Sequence, residues 1–182
     1  WIGLRPNVAQ IVQPVVQFLA AFPVNLLYPL VFIVIMKYHL SINIWVTPLM
    51  ILGVQWYILF NVIAGASVLP KDLLQVTDNL GVTGLLRWRK LILPGIFPYY
   101  MTGAITAVGG AWNASIAAEV ITWGNTKLAA TGLGAYISES TSNGNFLHMA
   151  VGIGVMCILV LFFNRLVWRP LYVMAETRYH LD

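Results

Sequence analysis

The chain has 182 residues, of which 59% are hydrophobic, 13% aromatic and only 9% charged. In a soluble domain about a quarter of the residues are charged. This chain therefore has too few charged residues to cover a water-exposed surface. Ten Lys and Arg stand against six Asp and Glu, which gives a formal net charge of +4. The composition excludes an ordinary soluble enzyme.

The few charged residues lie between long uncharged windows. No Asp, Glu, Lys or Arg occurs in residues 6–36, 40–70, 91–118 or 140–164, windows of 31, 31, 28 and 25 residues. A helix needs about 20 mostly apolar residues to cross a bilayer, and only helices or closed barrels satisfy their backbone groups in hydrocarbon. Because residues 149–163 are apolar on all sides and do not alternate, the windows predict an all-α, polytopic membrane helix bundle with four crossings.

Prolines interrupt the first window at Pro14, Pro23 and Pro29. Proline removes an N–H donor and clashes with the preceding helical turn. We therefore predict a short segment over residues 14–22, followed by the first crossing over residues 24–36.

The same window carries a polar stripe. Gln10, Gln13 and Gln17 recur at i, i+3 and i+7, which places them on one face of a helix. Two interpretations are open: the stripe faces protein or water inside the membrane, or the helix lies at the interface and its glutamines face lipid headgroups.

The remaining windows predict the other three crossings. These are placed at residues 44–69, 96–121 and 146–167, with a short turn at residues 37–39 before the second. Residues 122–145 are rich in Gly, Asn, Ser and Thr and are predicted as a loop. The third crossing also carries small residues at fourfold spacing, which let helix backbones approach closely in lipid; they are Gly103, Ala107, Ala111 and Ser115.

Orientation follows from the Lys and Arg residues in the short loops, which are more frequent on the cytoplasmic side. One side carries eight and the other carries Lys37 and Lys127. The majority side holds residues 70–90 and the C-terminal tail, which we therefore place in the cytoplasm. The positive charge is thus explained by topology, and no nucleic-acid partner is expected. The eight residues are Arg5, Lys71, Arg87, Arg89, Lys90, Arg165, Arg169 and Arg178.

The cytoplasmic segment over residues 70–94 predicts two short helices. Residues 71–80 form an amphipathic pattern that Gly81 would end, because glycine suits the left-handed position after a helix. Thr83 would cap the second helix, and Pro94 would close it. The residues singled out in this loop are Gln75, Gly81, Thr83, Arg87, Trp88, Leu93 and Pro94.

This segment resembles the cytoplasmic loop of binding-protein-dependent ABC importer permeases. In that loop a Glu-Ala-Ala triplet is followed by a glycine and, thirteen residues later, by the proline of a Leu-Pro pair. Gly81 and the pair Leu93-Pro94 match that glycine and pair, whereas residues 75–77 (Gln-Val-Thr) stand where the triplet would be. The runs 111–119 and 132–137 resemble the nitrate, sulfonate and taurine branch, in particular the C-terminal half of a duplicated anion-transport permease.

The resemblance implies a type I ABC permease fold with about four transmembrane helices and a cytoplasmic pair of coupling helices. Residues 1–182 would form a single but partial transmembrane domain whose N-terminal helices are missing. The chain would lie in a bacterial inner membrane, with the 70–94 loop and the tail in the cytoplasm and residues 122–145 in the periplasm.

The same resemblance implies the partners and the reaction. A pair of ATPase subunits, a second permease half or copy, and a periplasmic solute-binding protein would work with this chain in the lipid bilayer. The chain has no GxxxxGK[ST] phosphate loop, so we expect no enzyme activity and no cofactor here, with ATP bound by the partner subunits. The implied function is the ATP-driven import of a small, anionic solute by alternating access.

Polar side chains in the crossings are the candidates for the solute pathway, since such groups normally face the interior of a bundle. Glu119 follows Ile96 by 23 residues, roughly 35 Å of helix, which places it near the outer interface. A structural ion pair or helix-end hydrogen bond is the alternative to a substrate contact there. The candidates are Asn25, Gln55, Asn61, Thr106, Trp112, Asn113, Ser115 and Glu119.

Other kinds of site find little support. His39 and His148 have no second ligand at metal spacing, so no metal site is predicted, and no Lys or Arg lies inside a crossing. An anion would have to be held by hydroxyls, amides or helix N-termini. Two rival functions remain. An ion-driven secondary transporter would place an ionisable residue at mid-membrane. A non-transporting membrane scaffold would not explain the 70–94 loop.

Overall fold

The computed structural model describes residues 2–179, and most of them are helical. One antiparallel hairpin, formed by β1 (Val120–Trp123) and β2 (Thr126–Ala129), is the exception within that part of the chain. The predicted all-α class is therefore confirmed. The helices are α1 (Pro6–Ala21), α2 (Tyr28–Tyr38), α3 (Ile42–Ser67), α4 (Lys71–Asn79), α5 (Gly84–Arg87), α6 (Leu93–Ala118), α7 (Leu133–Ser142), α8 (Phe146–Phe163) and α9 (Arg169–Tyr179).

Among residues 2–179, three helical stretches are long and apolar enough to cross a membrane. They are Ile42–Ser67, Gly84–Ala118 and Phe146–Arg178, with 26, 35 and 33 residues. The broken pair Pro6–Ala21 and Val24–Tyr38 counts as a fourth if it is taken as one span. These stretches correspond to the four uncharged windows.

The first window departs from the prediction at Pro14. The expected segment over residues 14–22 is wrong at its start, because α1 begins at Pro6 and continues through Pro14. Pro6 stands at the first helical position, where no N–H donor is needed, and one lost bond at Pro14 is tolerable in a long helix. The break comes at Pro23, whose backbone is extended with φ −72° and ψ 110°. A 3₁₀ turn, Val24–Leu27, then leads into α2.

The predicted closure at Pro94 is also wrong. Helix runs without interruption from Gly84 to Ala118, because a π-helical turn over Trp88–Ile92 joins α5 to α6. In this turn the Leu93 N–H donates to the Trp88 carbonyl, five residues back. Such local π adjustments are how membrane helices accommodate proline. The third crossing therefore begins earlier than expected, and it ends at Ala118 because the backbone is extended from Val120.

The fourth crossing continues beyond its predicted end at Val167. A second π-helical turn, Asn164–Trp168, joins α8 to α9, which reaches Tyr179. The expected polar tail is helical up to that residue, since Leu, Met, Ala, Glu and Arg in this stretch all favour helix. The tail residues 180–182 lie outside the described part of the chain.

The segment predicted as a loop over residues 122–145 is mostly regular. It contains most of the hairpin and all of α7, so the expectation of an irregular connection is wrong here. Gly124 has φ +58° at the first position of the two-residue turn, as a type II′ hairpin turn requires. Polar composition alone did not distinguish these short elements from coil.

The described residues group into two compact units. One comprises residues 2–19, 57–106 and 165–179, and its core is formed by Ala66, Leu69, Ile92 and Ile96. In this unit Gly103 meets α3 closely, and a Cβ there would lie 2.9 Å from the Tyr57 carbonyl oxygen. The close approach predicted for the small residues of α6 is confirmed at this position.

The other unit comprises residues 20–56 and 107–164. Its core combines side chains of α2, α3 and the end of α6 with the hairpin. Ala118, with no exposed surface, lies in this core. The remaining buried members are Phe32, Val46, Leu49, Ile121 and Ala130.

Candidate functional site

The C-terminal end of α4 forms a closed turn around Gly81. Gly81 has φ +67°, so the predicted left-handed glycine is confirmed. Its N–H donates to the Asp78 carbonyl at 3.1 Å, and the Val82 N–H donates to the Thr77 carbonyl at 2.8 Å. These two bonds define the Schellman motif. They fix the direction in which the chain leaves α4.

Thr83 occupies the cap position of the following helix, as predicted. Its backbone is extended, with φ −120° and ψ 173°, but its side chain makes no capping hydrogen bond. Gly84 has φ +59°, so the first turn departs from the geometry in which a cap hydroxyl faces the free N–H groups. The predicted position is therefore right and the predicted bond is wrong.

Arg87 ties the second helix of the 70–94 loop to the first. Its Nη1 pairs with Asp78 Oδ1 at 2.5 Å, and its Nη2 donates to the Leu74 carbonyl at 3.3 Å. The sequence analysis named Arg87 but missed its two partners. The signal was a pair of opposite charges, Asp78 and Arg87, on either side of a glycine turn. The two short helices are thus held together by contacts of their own.

Trp88 attaches the loop to the membrane helices. Its half-buried side chain packs against the core cluster that includes Leu69, Ile92 and Ile96. Pro94, also half-buried, and Leu93, which is exposed, follow within the continuous helix, while Gln75 is exposed on α4. The loop is therefore attached to the start of α6 both by the Trp88 side chain and by unbroken helical backbone.

Three leucines project from the turn and the second helix. Leu80, Leu85 and Leu86 are 73%, 83% and 53% exposed. Leu80 follows the last residue of α4, and Leu85 and Leu86 lie in the first turn of the continuous helix that begins at Gly84. Large exposed apolar surface of this kind is a candidate for an interaction site. We call these three residues the leucine tip.

Most polar pathway candidates donate a side-chain hydrogen bond to a backbone carbonyl of their own helix. Asn61 Nδ2 donates to the Tyr57 carbonyl at 2.7 Å, and Thr106 Oγ1 donates to the Thr102 carbonyl at 2.9 Å. Ser115 Oγ donates to the Trp112 carbonyl at 2.8 Å in the same manner. Gln55 and Asn113 make longer bonds to their own helices, and Asn25 is exposed in the 3₁₀ turn. Each of the five bonded side chains thus has one polar atom paired within its own helix, and Asn61 keeps a second N–H and its Oδ1 for another partner.

The structure brings three of the candidates to one cavity. Trp112, Ser115 and Glu119 line a cavity of about 340 Å³ beside Met50 and Leu133. Trp112 and Asn113 line a second, larger cavity of about 580 Å³ with apolar residues of α8. Within the described residues, neither cavity has a Lys or Arg in its lining.

Glu119 has a structural role that follows from its bonds. Its Oε2 accepts the Ala135 N–H at 2.8 Å, in the first turn of α7, and its backbone carbonyl accepts the Ala130 N–H at 2.7 Å. A carboxylate is favoured at a helix N-terminus because the helix dipole is positive there. Of the two alternatives, the helix-end hydrogen bond is observed. Sequence reasoning missed its partners.

Two glycines allow α7 to approach this carboxylate. A Cβ on Gly132 would overlap the Glu119 carboxylate, and a Cβ on Gly134 would lie 2.5 Å from the Ser115 carbonyl oxygen. The Gly-Leu-Gly sequence at 132–134 is therefore required by packing. Among residues 2–179, no group of three or more His, Cys, Asp or Glu is placed to hold a metal ion.

Comparison with known proteins gives a consistent result. The family model described as "Binding-protein-dependent transport system inner membrane component" matches residues 2–169. The chain is 30% identical over 112 residues to the nitrate import permease protein NrtB of Leptolyngbya laminosa, a match that covers 62% of this chain and 38% of that protein. It is 27% identical over 162 residues to the taurine transport system permease protein TauC of Escherichia coli, covering 87% and 54%.

A third relative is the bicarbonate transport system permease protein CmpB of Synechocystis sp. It is 30% identical over 127 residues, a match that covers 66% of this chain and 41% of that protein. The chain thus spans between about two fifths and about half of the length of these relatives. Residues 2–169 include both the 70–94 loop and the cavity beside Glu119, so the family match covers the whole candidate site.

Proposed function

This chain belongs to the family of inner-membrane components of binding-protein-dependent transport systems, and from that premise we propose that it is a permease subunit of an ATP-driven importer. The observation that carries the proposal is the geometry of the 70–94 loop. The leucine tip is apolar and exposed. The two short helices that carry it are held in place by the Gly81 turn, the Arg87 bonds and the packing of Trp88. A rigid apolar tip between two crossings suits a docking protein, here the ATPase subunit.

The 70–94 loop offers a mechanical connection between the ATPase subunit and α6. A displacement of the leucine tip would move α5 and, because the helix is continuous from Gly84, would also move α6. Trp88 transmits the same displacement to the core cluster around Leu69 and Ile96. Nucleotide binding on the ATPase would thereby bias the permease between two conformational states, which is how one site affects another at a distance.

The proposed solute is small and anionic. Relatives are named for nitrate, bicarbonate and taurine transport, all small solutes with a delocalised anionic group. The uncharged windows supply no Lys or Arg, so neutral donors would hold the anion. Neutral donors bind an anion less strongly than a buried cation does, which favours release on the other side of the membrane.

The assembly we propose contains two permease units, a pair of ATPase subunits and a periplasmic solute-binding protein. The 70–94 loop and the C-terminal end would lie in the cytoplasm, and the 122–145 segment in the periplasm. The support is the distribution of Lys and Arg, eight against two, together with the leucine tip on the positive side.

The test uses copurification and uptake with the full importer in proteoliposomes. Leu85→Asn removes the most exposed leucine of the tip without adding charge. Lys71→Asn introduces the same residue on α4 away from the tip and serves as the matched control. We expect Leu85→Asn to copurify with little ATPase subunit and to show little ATP-dependent uptake. The control should copurify and transport like the unchanged protein. Equal copurification and uptake in the two variants would contradict the proposed docking surface.

A further inference from the structure

Helix α1 carries three glutamines that the proposed docking surface does not explain. Gln10, Gln13 and Gln17 are exposed, and their amides make no hydrogen bond within the described part of the chain. This distinguishes them from Asn61 and Thr106, which bond to their own helices. Moving an amide without a partner from water into hydrocarbon is strongly unfavourable. Three such amides on one helix require water or a polar partner.

The other faces of α1 are occupied in a different way. Val16 is buried on one face. Ile11 and Phe18 are 74% and 76% exposed on another, as suits contact with lipid. With 3.6 residues per turn, the glutamines fall on a third, narrow face between the buried side and the exposed apolar side. The helix thus separates packing, lipid and polar contacts.

An interfacial position for α1 fits these features poorly. Helices that lie in the headgroup region typically carry Lys and Arg on their polar face, whereas Pro6–Ala21 contains no charged residue. Pro6–Ala21 together with Val24–Tyr38 also meets the length and composition of a membrane span. Of the two interpretations open from the sequence, a polar face inside the membrane is therefore favoured.

We propose that Gln10, Gln13 and Gln17 line the water-filled solute pathway and offer their amide N–H groups to an anionic solute. Each glutamine amide has two donors and no charge. Three amides spaced along about 10 Å of helix, at 1.5 Å per residue, would give successive weak sites. The inference rests on the proposed transport function, but the exposure of these residues to water is testable without transport.

The test measures thiol labelling in membranes. The lone cysteine is first removed as Cys157→Ser, and then Gln10→Cys, Gln13→Cys or Gln17→Cys is introduced. Ile11→Cys and Phe18→Cys are the matched controls, because they lie on the lipid-facing side of the same helix at similar depth. The reagent is anionic methanethiosulfonate ethylsulfonate, which needs a thiolate and therefore water. We expect the glutamine positions to react at least about tenfold faster, since each unit of raised thiol pKa lowers the thiolate fraction tenfold.

The second measurement compares two states of the assembled importer, nucleotide-free and trapped with ATP and vanadate. A pathway face should change its labelling rate severalfold between them, because alternating access opens it to one side at a time. Equal rates in both states would indicate headgroup contact, and rates no faster than the controls would indicate a buried or lipid-facing stripe. Disulfide bonds between Gln13→Cys residues of two copies, in place of labelling, would indicate a subunit interface. Each of these three results overturns the inference. Loss of ATP-driven uptake with the labelling contrast intact would count against the proposed function instead.

Discussion

The 70–94 loop and the 122–145 segment are both polar stretches between apolar helices, and each contains a helix closed in the same way. Gly81 ends α4 and Gly144 ends α7, with φ +67° and +66°. In α7 the Gly144 N–H donates to the Thr141 carbonyl and the Asn145 N–H to the Ser140 carbonyl, the same Schellman pattern. What differs is the origin of the contacts that hold each stretch in place.

The 70–94 loop is held mainly by local contacts. Its helix pair is joined by Arg87 to Asp78 and Leu74, at most 13 residues away. The 122–145 segment depends on distant residues: the Thr131 N–H donates to Asn43 Oδ1 across 88 residues of sequence. A short polar segment is thus recognisable from sequence when its contacts are local. When they are distant, the composition alone suggests a loop.

The largest effect on stability is expected from Gly134→Ala, which disrupts the packing of α7 on the Ser115 backbone of α6. The added Cβ would lie 2.5 Å from Ser115 backbone atoms, and backbone cannot move aside as a flexible side chain can. We expect a loss of about 3 kcal/mol in stability, measured as thermal unfolding in detergent. Gly154→Ala is the control, because a Cβ there has no atom within 4 Å. Equal stability of the two variants would contradict the close packing of α7 on α6.

A smaller effect is expected from Glu119→Ala. The Ala135 N–H would lose its carboxylate acceptor, and a hydrogen bond to a charged group contributes about 2 kcal/mol. Glu119→Gln keeps an oxygen acceptor and should lose roughly half as much. Limited proteolysis of residues 122–145 provides the measurement. Cleavage that is fastest in the alanine variant and intermediate in the glutamine variant would support Glu119 as a helix-end acceptor, whereas unchanged cleavage in both variants would contradict it.

The two closing glycines allow a matched pair of substitutions. Gly81→Val and Gly144→Val introduce the same strained left-handed valine, with no neighbouring atom within 4 Å of either Cβ. Each should cost about 1–2 kcal/mol. Only Gly81→Val should also lower uptake and substrate-stimulated ATP hydrolysis, because only that turn supports the leucine tip. Both proteins should still insert into the membrane. Equal losses of coupling would show that strain alone, and not the docking surface, is responsible.

The sequence predicted the features that depend on one helix or one turn. The three spans and the broken helix pair of the first window follow from the uncharged windows, and the left-handed Gly81 follows from its place after an amphipathic pattern. The prolines misled because their effect depends on context: Pro14 and Pro94 both lie within helix. A π-helical turn before Pro94 offsets the missing donor, and nothing in the local sequence announces such a turn.

The candidate site was predicted unevenly for the same reason. The residue types that build the 70–94 loop were recognised, but the partners Asp78 and Leu74 were not, because a pairing between helices needs the turn geometry. A helix-end hydrogen bond was one of the roles expected for Glu119, yet its partner lies in α7, a helix that the Gly and Ser content did not predict. Gly144 followed by Asn145 was a usable signal for a helix end and a new cap, since Asn145 Oδ1 accepts the His148 N–H.

A moderate effect is expected when the local contacts are broken. Arg87→Ala removes both the Asp78 pair and the bond to the Leu74 carbonyl. Because the pair is partly exposed, we expect a loss of about 1 kcal/mol, together with weaker ATPase copurification. Arg87→Lys should restore part of the charge interaction but not both bonds. Full copurification in the alanine variant would show that the turn and Trp88 suffice to hold the leucine tip.

The smallest effect is expected at the corresponding ion pair of the 122–145 segment. Lys127 Nζ lies 2.8 Å from Glu139 Oε1, and both side chains are well exposed. Such pairs contribute below about 0.5 kcal/mol, and salt screens them further. Lys127→Ala should therefore leave thermal unfolding almost unchanged at high salt, with a slight decrease at low salt. A loss as large as that of Arg87→Ala would mean that local pairs support both segments equally, and that the contrast between local and distant contacts does not hold.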